Sequence, residues 1–167
     1  NGGMSFHGGL IGVFLATIIF SRKHKIDPYI FLDLISLVAP IGIFFGRIAN
    51  FINSELYGRE ADLLWSVKFQ AIDDIPRHPS QIYEAIFEGI ILFLLLNFFR
   101  KKFALKKPGL ISSFFLIFYS IFRFILEFYR APDPQIGYLL FHLTFGQILS
   151  IIFIFFGIAI FVKKNEN

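Results

Sequence analysis

Residues 109–130 read GLISSFFLIFYSIFRFILEFYR, an apolar run far longer than a strand of about 5–6 residues. Three polar residues punctuate its second half. Tyr119, Arg123 and Glu127 stand at i, i+4 and i+8, so on a helix they share one face, drifting roughly 80° over about 12 Å. An ionisable side chain inside such a run costs about 2.5–3.5 kcal/mol even on lenient insertion scales, which makes it a functional hypothesis by default. The face that carries Arg123 and Glu127 must therefore turn into a helix bundle or a wet cavity.

The rest of the chain agrees with a membrane setting. Of 167 residues, 56% are hydrophobic and 19% aromatic, 25 of them Phe, and only 17% are charged. A soluble domain carries roughly 25% charged residues, so polar side chains are too few here to cover a water-facing surface. Mean hydropathy is +0.67. With no Cys, a disulfide scaffold is excluded, and a disordered chain or a simple cytosolic enzyme fits no better. The net charge of +4 lies in short clusters between apolar runs, which orients a membrane protein and builds no nucleic-acid groove. No nucleic-acid partner is expected.

Five runs read as spans: 8–20, 29–52, 82–99, 109–129 and 141–162. Breakers separate them, at Asp27-Pro28, Pro76 with Pro79, Pro108-Gly109, and Pro132 with Pro134. Arg22, Lys23, Lys25, the five cations of 100–107, and Lys163 with Lys164 fall on one side; Arg59, Lys68, Arg77 and Arg130 fall on the other. The positive-inside rule then places Asn1 and the 54–81 loop outside and the carboxyl terminus inside. Residues 1–167 are read as one transmembrane domain, an all-α polytopic bundle. The chain opens at Asn1 with no charged n-region, so the expectation is a piece without a signal peptide whose beginning lies upstream. Gly8-xxx-Gly12 and Gly42-xxx-Gly46 are small-xxx-small pairs suited to close helix packing.

This topology brings further polar residues to one depth near the outer leaflet. His7 opens the first span, Arg47 and Asn50 share a face of the second, with Asn53 and Glu55 beyond them, and Arg123 and Glu127 lie in the outer part of the fourth. Each has a plainer reading: an Arg123–Glu127 pair that neutralises itself, an Arg47 that snorkels to the interface, a solvated His7, asparagines as interhelical glue, a Tyr119 that merely packs. Clustering at one depth is what those readings leave unexplained. Glu84 and Glu88, four apart in the third span, are candidate partners for a buried arginine. Two guanidiniums suit a phosphate, which they hold bidentately at any pH, and the phosphate most available there is a phospholipid head group. The rival class is a membrane anion transporter or channel fragment, which needs polar residues through the full membrane depth. The inner halves read as almost purely apolar, with Ser36 and Ser120 the modest exceptions.

Five stretches resemble the bacterial prolipoprotein diacylglyceryl transferase family. Residues 1–12, NGGMSFHGGLIG, look like its HGG segment; 46–58, GRIANFINSELYG, its long signature; 77–84, RHPSQIYE, its loop motif; 119–130, YSIFRFILEFYR, its late-helix motif; and 146–150, GQILS, the start of its last helix. They come in the family's order along nearly the whole chain. The resemblance implies a seven-span enzyme of the bacterial inner (cytoplasmic) membrane, amino terminus outside, of which the five spans here are the last five, with the active site toward the outer leaflet. It implies transfer of the diacylglyceryl group of phosphatidylglycerol to the lipobox Cys of a prolipoprotein signal peptide, with glycerol 1-phosphate released, as the first step of lipoprotein maturation. It places roles on His7, Arg47, Asn50, Glu55, Gly58, Tyr119, Arg123 and Glu127.

On that footing Arg47 and Arg123 hold the phosphate, Glu127 orients Arg123, and Tyr119 hydrogen-bonds the lipid. Asn50, Glu55 and Gly58 join the two arginines in the substrate site. His7 is the general base for the thiol, or the arginine field lowers the thiol pKa without a dedicated base. No metal and no organic cofactor are expected.

Overall fold

The computed structural model describes residues 6–103, 107–132 and 137–166, with the side chains of residues 6, 7, 10, 102, 103 and 140 outside that description. The chain is mostly helical: α1 (Phe6–His24), α2 (Pro28–Ile52), α3 (Ser80–Glu84), α4 (Leu92–Phe103), α5 (Leu110–Leu126) and α6 (Phe145–Glu166). A π-helical stretch, Ala85–Ile91, joins α3 to α4, so one unbroken rod runs from 80 to 103. The loop before it holds a two-stranded antiparallel hairpin, β1 (Val67–Lys68) with β2 (Pro76–Arg77), which the sequence pattern did not announce. Among the described residues, three helices are long and apolar enough to cross a membrane: Pro28–Ile52, Ser80–Lys101 and Phe145–Glu166. The fourth run is apolar but its helix stops at Leu126, and the last begins at Phe145 after a kink at Phe141 (φ 56°).

Burial is inverted relative to a water-soluble domain. Ser21, Ser80, Gln81, Glu84, Glu88 and Ser113 are fully buried, while Ile19, Val38, Phe45, Leu94, Phe98 and Phe155 are each at least 60% exposed. A contiguous apolar exterior over a polar interior is what a lipid solvent selects. The buried apolar core is small: Leu92, Leu96 and Ile111, sealed by Leu37, Phe99, Phe114, Phe115, Phe118 and Phe122. Phe99 stacks on Phe114 at 4.4 Å.

Two glycines, neither from the expected pairs, set the helix contacts. A Cβ on Gly89 would lie 2.7 Å from Phe44 Cβ, and one on Gly157 would lie 2.8 Å from Ile117 Cγ1. Gly12, Gly42 and Gly46 face nothing within 4 Å. The expectation placed close packing where small residues repeat; the structure places it where a helix backbone must touch a neighbour.

At the end of the bundle away from the 53–79 loop, one carboxylate locks two helices. Gly109 precedes α5 with φ 104° and has no side chain to cap it. Asp33 of α2 serves instead: its carboxylate accepts from Gly109 N–H (2.8 Å), Ser112 N–H (2.8 Å) and Ser112 Oγ (2.7 Å). The sequence expectations did not include Asp33, and this end of the bundle is less apolar than expected. The contacts of Asp33 join segments 76 and 79 residues apart. Asp33→Ala should cost about 2 kcal/mol, a cap and its charge-assisted hydrogen bonds. Thermal unfolding in detergent reads it, and an unchanged midpoint would remove the capping role.

Candidate functional site

At the loop end, α2, the rod and α5 converge on a buried ionic cluster. Glu84, the last residue of α3, is fully buried and bridges two helices: Oε2 lies 3.0 Å from Arg47 Nε and Oε1 2.7 Å from Arg123 NH1. Glu88, in the π stretch and also fully buried, spans the same two arginines at longer range, 3.4 Å to Arg47 NH2 and 3.9 Å to Arg123 NH1. Arg130 NH1 reaches Glu84 Oε1 at 3.7 Å. Arg123 NH2 pairs along its own helix with Glu127 Oε2 at 2.8 Å. Tyr119 lies parallel on the Phe115 ring, and its hydroxyl is in electrostatic reach of Glu88, Arg123, Arg47 and Glu84.

The local sequence explains this convergence. Gly89 lets the rod touch α2 at Phe44, one turn before Arg47, so Glu88 beside it is pressed against the arginine. A π segment takes in extra residues per turn and is frequently found at functional sites. Glu127 is held from α6: Thr144 Oγ1 donates to its Oε1 at 2.9 Å. A Cβ on Gly146 would approach that carboxylate at 3.1 Å. Gln147 fixes Thr144 in turn, accepting its N–H at 3.0 Å and donating its own N–H to Thr144 Oγ1 at 3.3 Å. The GQILS stretch is thus the seat of Glu127.

The RHPSQIYE stretch straps the loop to the rod. Arg77 grips Asp73 at 2.6 Å, and this hydrogen bond holds the Asp73 carboxyl below its ordinary range. Ser80 Oγ donates to Leu56 C=O (3.3 Å) and Gln81 Nε2 to Glu55 C=O (2.7 Å). Tyr83 meets His78 Nδ1 at 3.2 Å and Trp65 Nε1 at 2.7 Å. With Leu63, Phe87, Phe122, Ile125, Leu126 and Tyr129, these aromatic residues line an apolar groove of about 490 Å³.

Arg47, Tyr119, Arg123 and Glu127, expected from sequence, are together. Glu84 and Glu88, only suggested as partners, are its centre, because each unites two helices and no sequence spacing reveals that. Among the described residues the Asn50 side chain has no hydrogen-bond partner; its carbonyl accepts from Glu55 N–H at 2.8 Å. Glu55 is exposed and contributes its backbone carbonyl to Gln81. Gly58 is a backbone crossing, bridged to Arg130. His7 is the second residue of α1, and its side chain lies outside the described residues.

The family described as prolipoprotein diacylglyceryl transferase matches residues 1–163. The chain belongs to this family. It is 51% identical to the phosphatidylglycerol–prolipoprotein diacylglyceryl transferase of Rickettsia felis, over 99% of this chain and 64% of that protein. To the enzyme of the same name from Rhodospirillum rubrum it is 52% identical, over 99% of this chain and 61% of that one. The Nitrobacter winogradskyi enzyme is 50% identical over 96% and 56%. The chain therefore spans a little under two thirds of these relatives. Five family stretches now have structural duties: an arginine on α2, a strap with its bridging Glu84, an arginine–glutamate pair on α5, and the α6 seat, with the HGG segment opening α1.

Proposed function

We propose that this chain carries the phosphate-handling centre of a transferase that moves the diacylglyceryl group of phosphatidylglycerol to the lipobox Cys thiol of a prolipoprotein, releasing glycerol 1-phosphate. The observation that carries the reading is the pair Arg47–Arg123, brought from two helices to a common buried carboxylate with side chains only 16% and 14% exposed, in a chain of this family. Guanidiniums held in fixed orientation at low dielectric suit a leaving phosphate, whose charge grows as the glyceryl C–O bond breaks. The thiol sulfur forms the new C–S bond, the C–O electron pair leaves on the phosphate oxygen, and the thiol proton passes to a base. His7 is our choice for that base, since an imidazole matches a thiol of pKa about 8.5 well enough to assist. Glu127, seated by Thr144, keeps Arg123 aimed, and Tyr119 offers its hydroxyl to the lipid.

The membrane arrangement belongs to the same proposal. Five spans, amino terminus out and carboxyl terminus in, in a bacterial inner membrane, put the cluster toward the outer leaflet. Bridging the loop end to that leaflet gives the cluster direct access to lipid head groups and to a signal peptide.

The test is label transfer from radiolabelled phosphatidylglycerol to a lipobox peptide. The chain is supplied alone and in a chimaera with the part of the Rickettsia felis relative that the match leaves uncovered. Label on the peptide Cys from either supports the reading. A folded chimaera that transfers nothing removes it. Replacing His7 with Gln separates the two routes for the proton: a loss of about 10²-fold or more supports the imidazole, and near-normal turnover favours the arginine field.

A further inference from the structure

The two carboxylates of the rod bridge the same two arginines, yet unequally. Glu84 holds them at 3.0 and 2.7 Å, whereas Glu88 stands off at 3.4 and 3.9 Å. Among the described residues Glu88 Oε1, Glu84 Oε2 and Glu127 Oε2 are sealed from solvent without a hydrogen-bond partner, but the latter two lie 3.0 and 2.8 Å from a guanidinium nitrogen, whereas Glu88 Oε1 comes no nearer than 3.9 Å. A buried carboxylate oxygen so poorly paired is a cost that a purely structural ion pair would avoid. Its two oxygens reach one guanidinium each, which is also how two non-bridging oxygens of a phosphate would span Arg47 and Arg123.

We infer that Glu88 is a place-holder: it occupies the seat between Arg47 and Arg123 that the substrate phosphate takes, while Glu84 is the fixed bridge that spaces the two arginines. The inference rests on the phosphate-clamp reading above. Charge supports it. The cluster gathers Arg47, Arg123 and Arg130 against Glu84, Glu88 and Glu127, so its described side chains balance before any ligand arrives. A lipid phosphodiester adds one more anion, and the carboxylate with the weakest hold is the one that yields. Holding the arginines apart with a loosely bound anion keeps the empty site from collapsing onto Glu84 and keeps the guanidiniums aimed. Glu84 and Glu88 act through the arginines, so both are positioning residues.

Opposite signs make the two roles separable. In the transfer assay with phosphatidylglycerol in mixed micelles, Glu88→Gln removes the competing charge and keeps the shape, so KM should fall about tenfold. Glu84→Gln should raise KM and lower kcat, by about 10²-fold in kcat/KM, because the arginines lose their spacing. A structural role for Glu88 would weaken lipid binding and never tighten it. Where Glu88→Gln lowers the unfolding midpoint, Glu88→Asp supplies the second measurement. Its shorter reach withdraws the carboxylate from the seat, and KM should fall about threefold. KM unchanged or raised in both variants overturns the assignment. Arg123→Ala in parallel separates the two ideas. If it leaves turnover intact, the clamp reading falls and this one with it; if it abolishes turnover while both Glu88 variants fail to tighten binding, only the seat assignment falls.

Discussion

Arg123→Ala should lower kcat/KM for lipid transfer by about 10³-fold or more, the largest single loss in the cluster. Removing one donor to a developing anion commonly costs 10²–10³ in rate. Arg123 is more than one donor: its NH1 lies 2.7 Å from Glu84 and its NH2 2.8 Å from Glu127. Truncation would leave Glu127 without its ion-pair partner and Glu84 with only Arg47 and the more distant Arg130, and breaking a buried pair from one side costs about 3–5 kcal/mol. Arg123→Lys separates chemistry from folding. A lysine keeps the charge but has no planar fork to reach Glu84, Glu127 and a phosphate together. The unfolding midpoint should recover most of its value while the transfer rate stays about 10²-fold down. Initial rates of label transfer and thermal unfolding in the same detergent read both quantities. A rate for Arg123→Ala within tenfold of the parent would remove the residue from the phosphate site.

The part of this centre that was legible from sequence was the part written in one helix. Tyr119, Arg123 and Glu127 follow from the α5 repeat alone, and Arg47 from its depth in α2. Glu84 and Glu88 were legible as partners for a buried arginine, and both do pair with arginines. That each bridges the same two arginines was not legible, because it depends on α2 and α5 both being placed against the rod. Asp33 illustrates the converse. It has no partner in its own stretch of sequence, and its duty is to accept from Gly109, 76 residues later, at the start of α5. Gly42 and Gly46 had the right pattern and Gly89 had none, since close approach depends on which face a neighbour presents. The 3₁₀ turn and the left-handed Phe141 before α6 have no cue in the composition, yet they deliver Thr144 and Gly146 to Glu127.

Gly58→Ala should be the most damaging change of a residue that carries no functional group. Family resemblance put Gly58 in the substrate site; the structure shows it in a tight backbone crossing. Its position is a crossing of three chain segments. A Cβ there would overlap the carbonyl oxygen of His78 and stand 2.7 Å from His78 Cβ and 2.9 Å from the Tyr129 carbonyl oxygen. These neighbours are mostly backbone, and the backbone around them is pinned. Arg59 N–H donates to Tyr129 C=O at 2.9 Å, His78 N–H to Arg59 C=O at 3.0 Å, and Ala131 N–H to Tyr57 C=O at 3.2 Å. The added methyl must therefore push the strap away from the end of α5, carrying His78 and Arg130 with it. Overpacking of this kind costs about 1–3 kcal/mol. The shift also moves the chain that leads into Glu84, and a displacement of about 1 Å can cost 10²-fold in rate. Stability and kcat should thus fall together. A glycine kept for ligand contact behaves otherwise, raising KM with the unfolding midpoint untouched. Gly46→Ala is the control, since nothing lies within 4 Å of a Cβ there, and it should change neither quantity. An unchanged midpoint in Gly58→Ala, with KM alone affected, would return Gly58 to the substrate site.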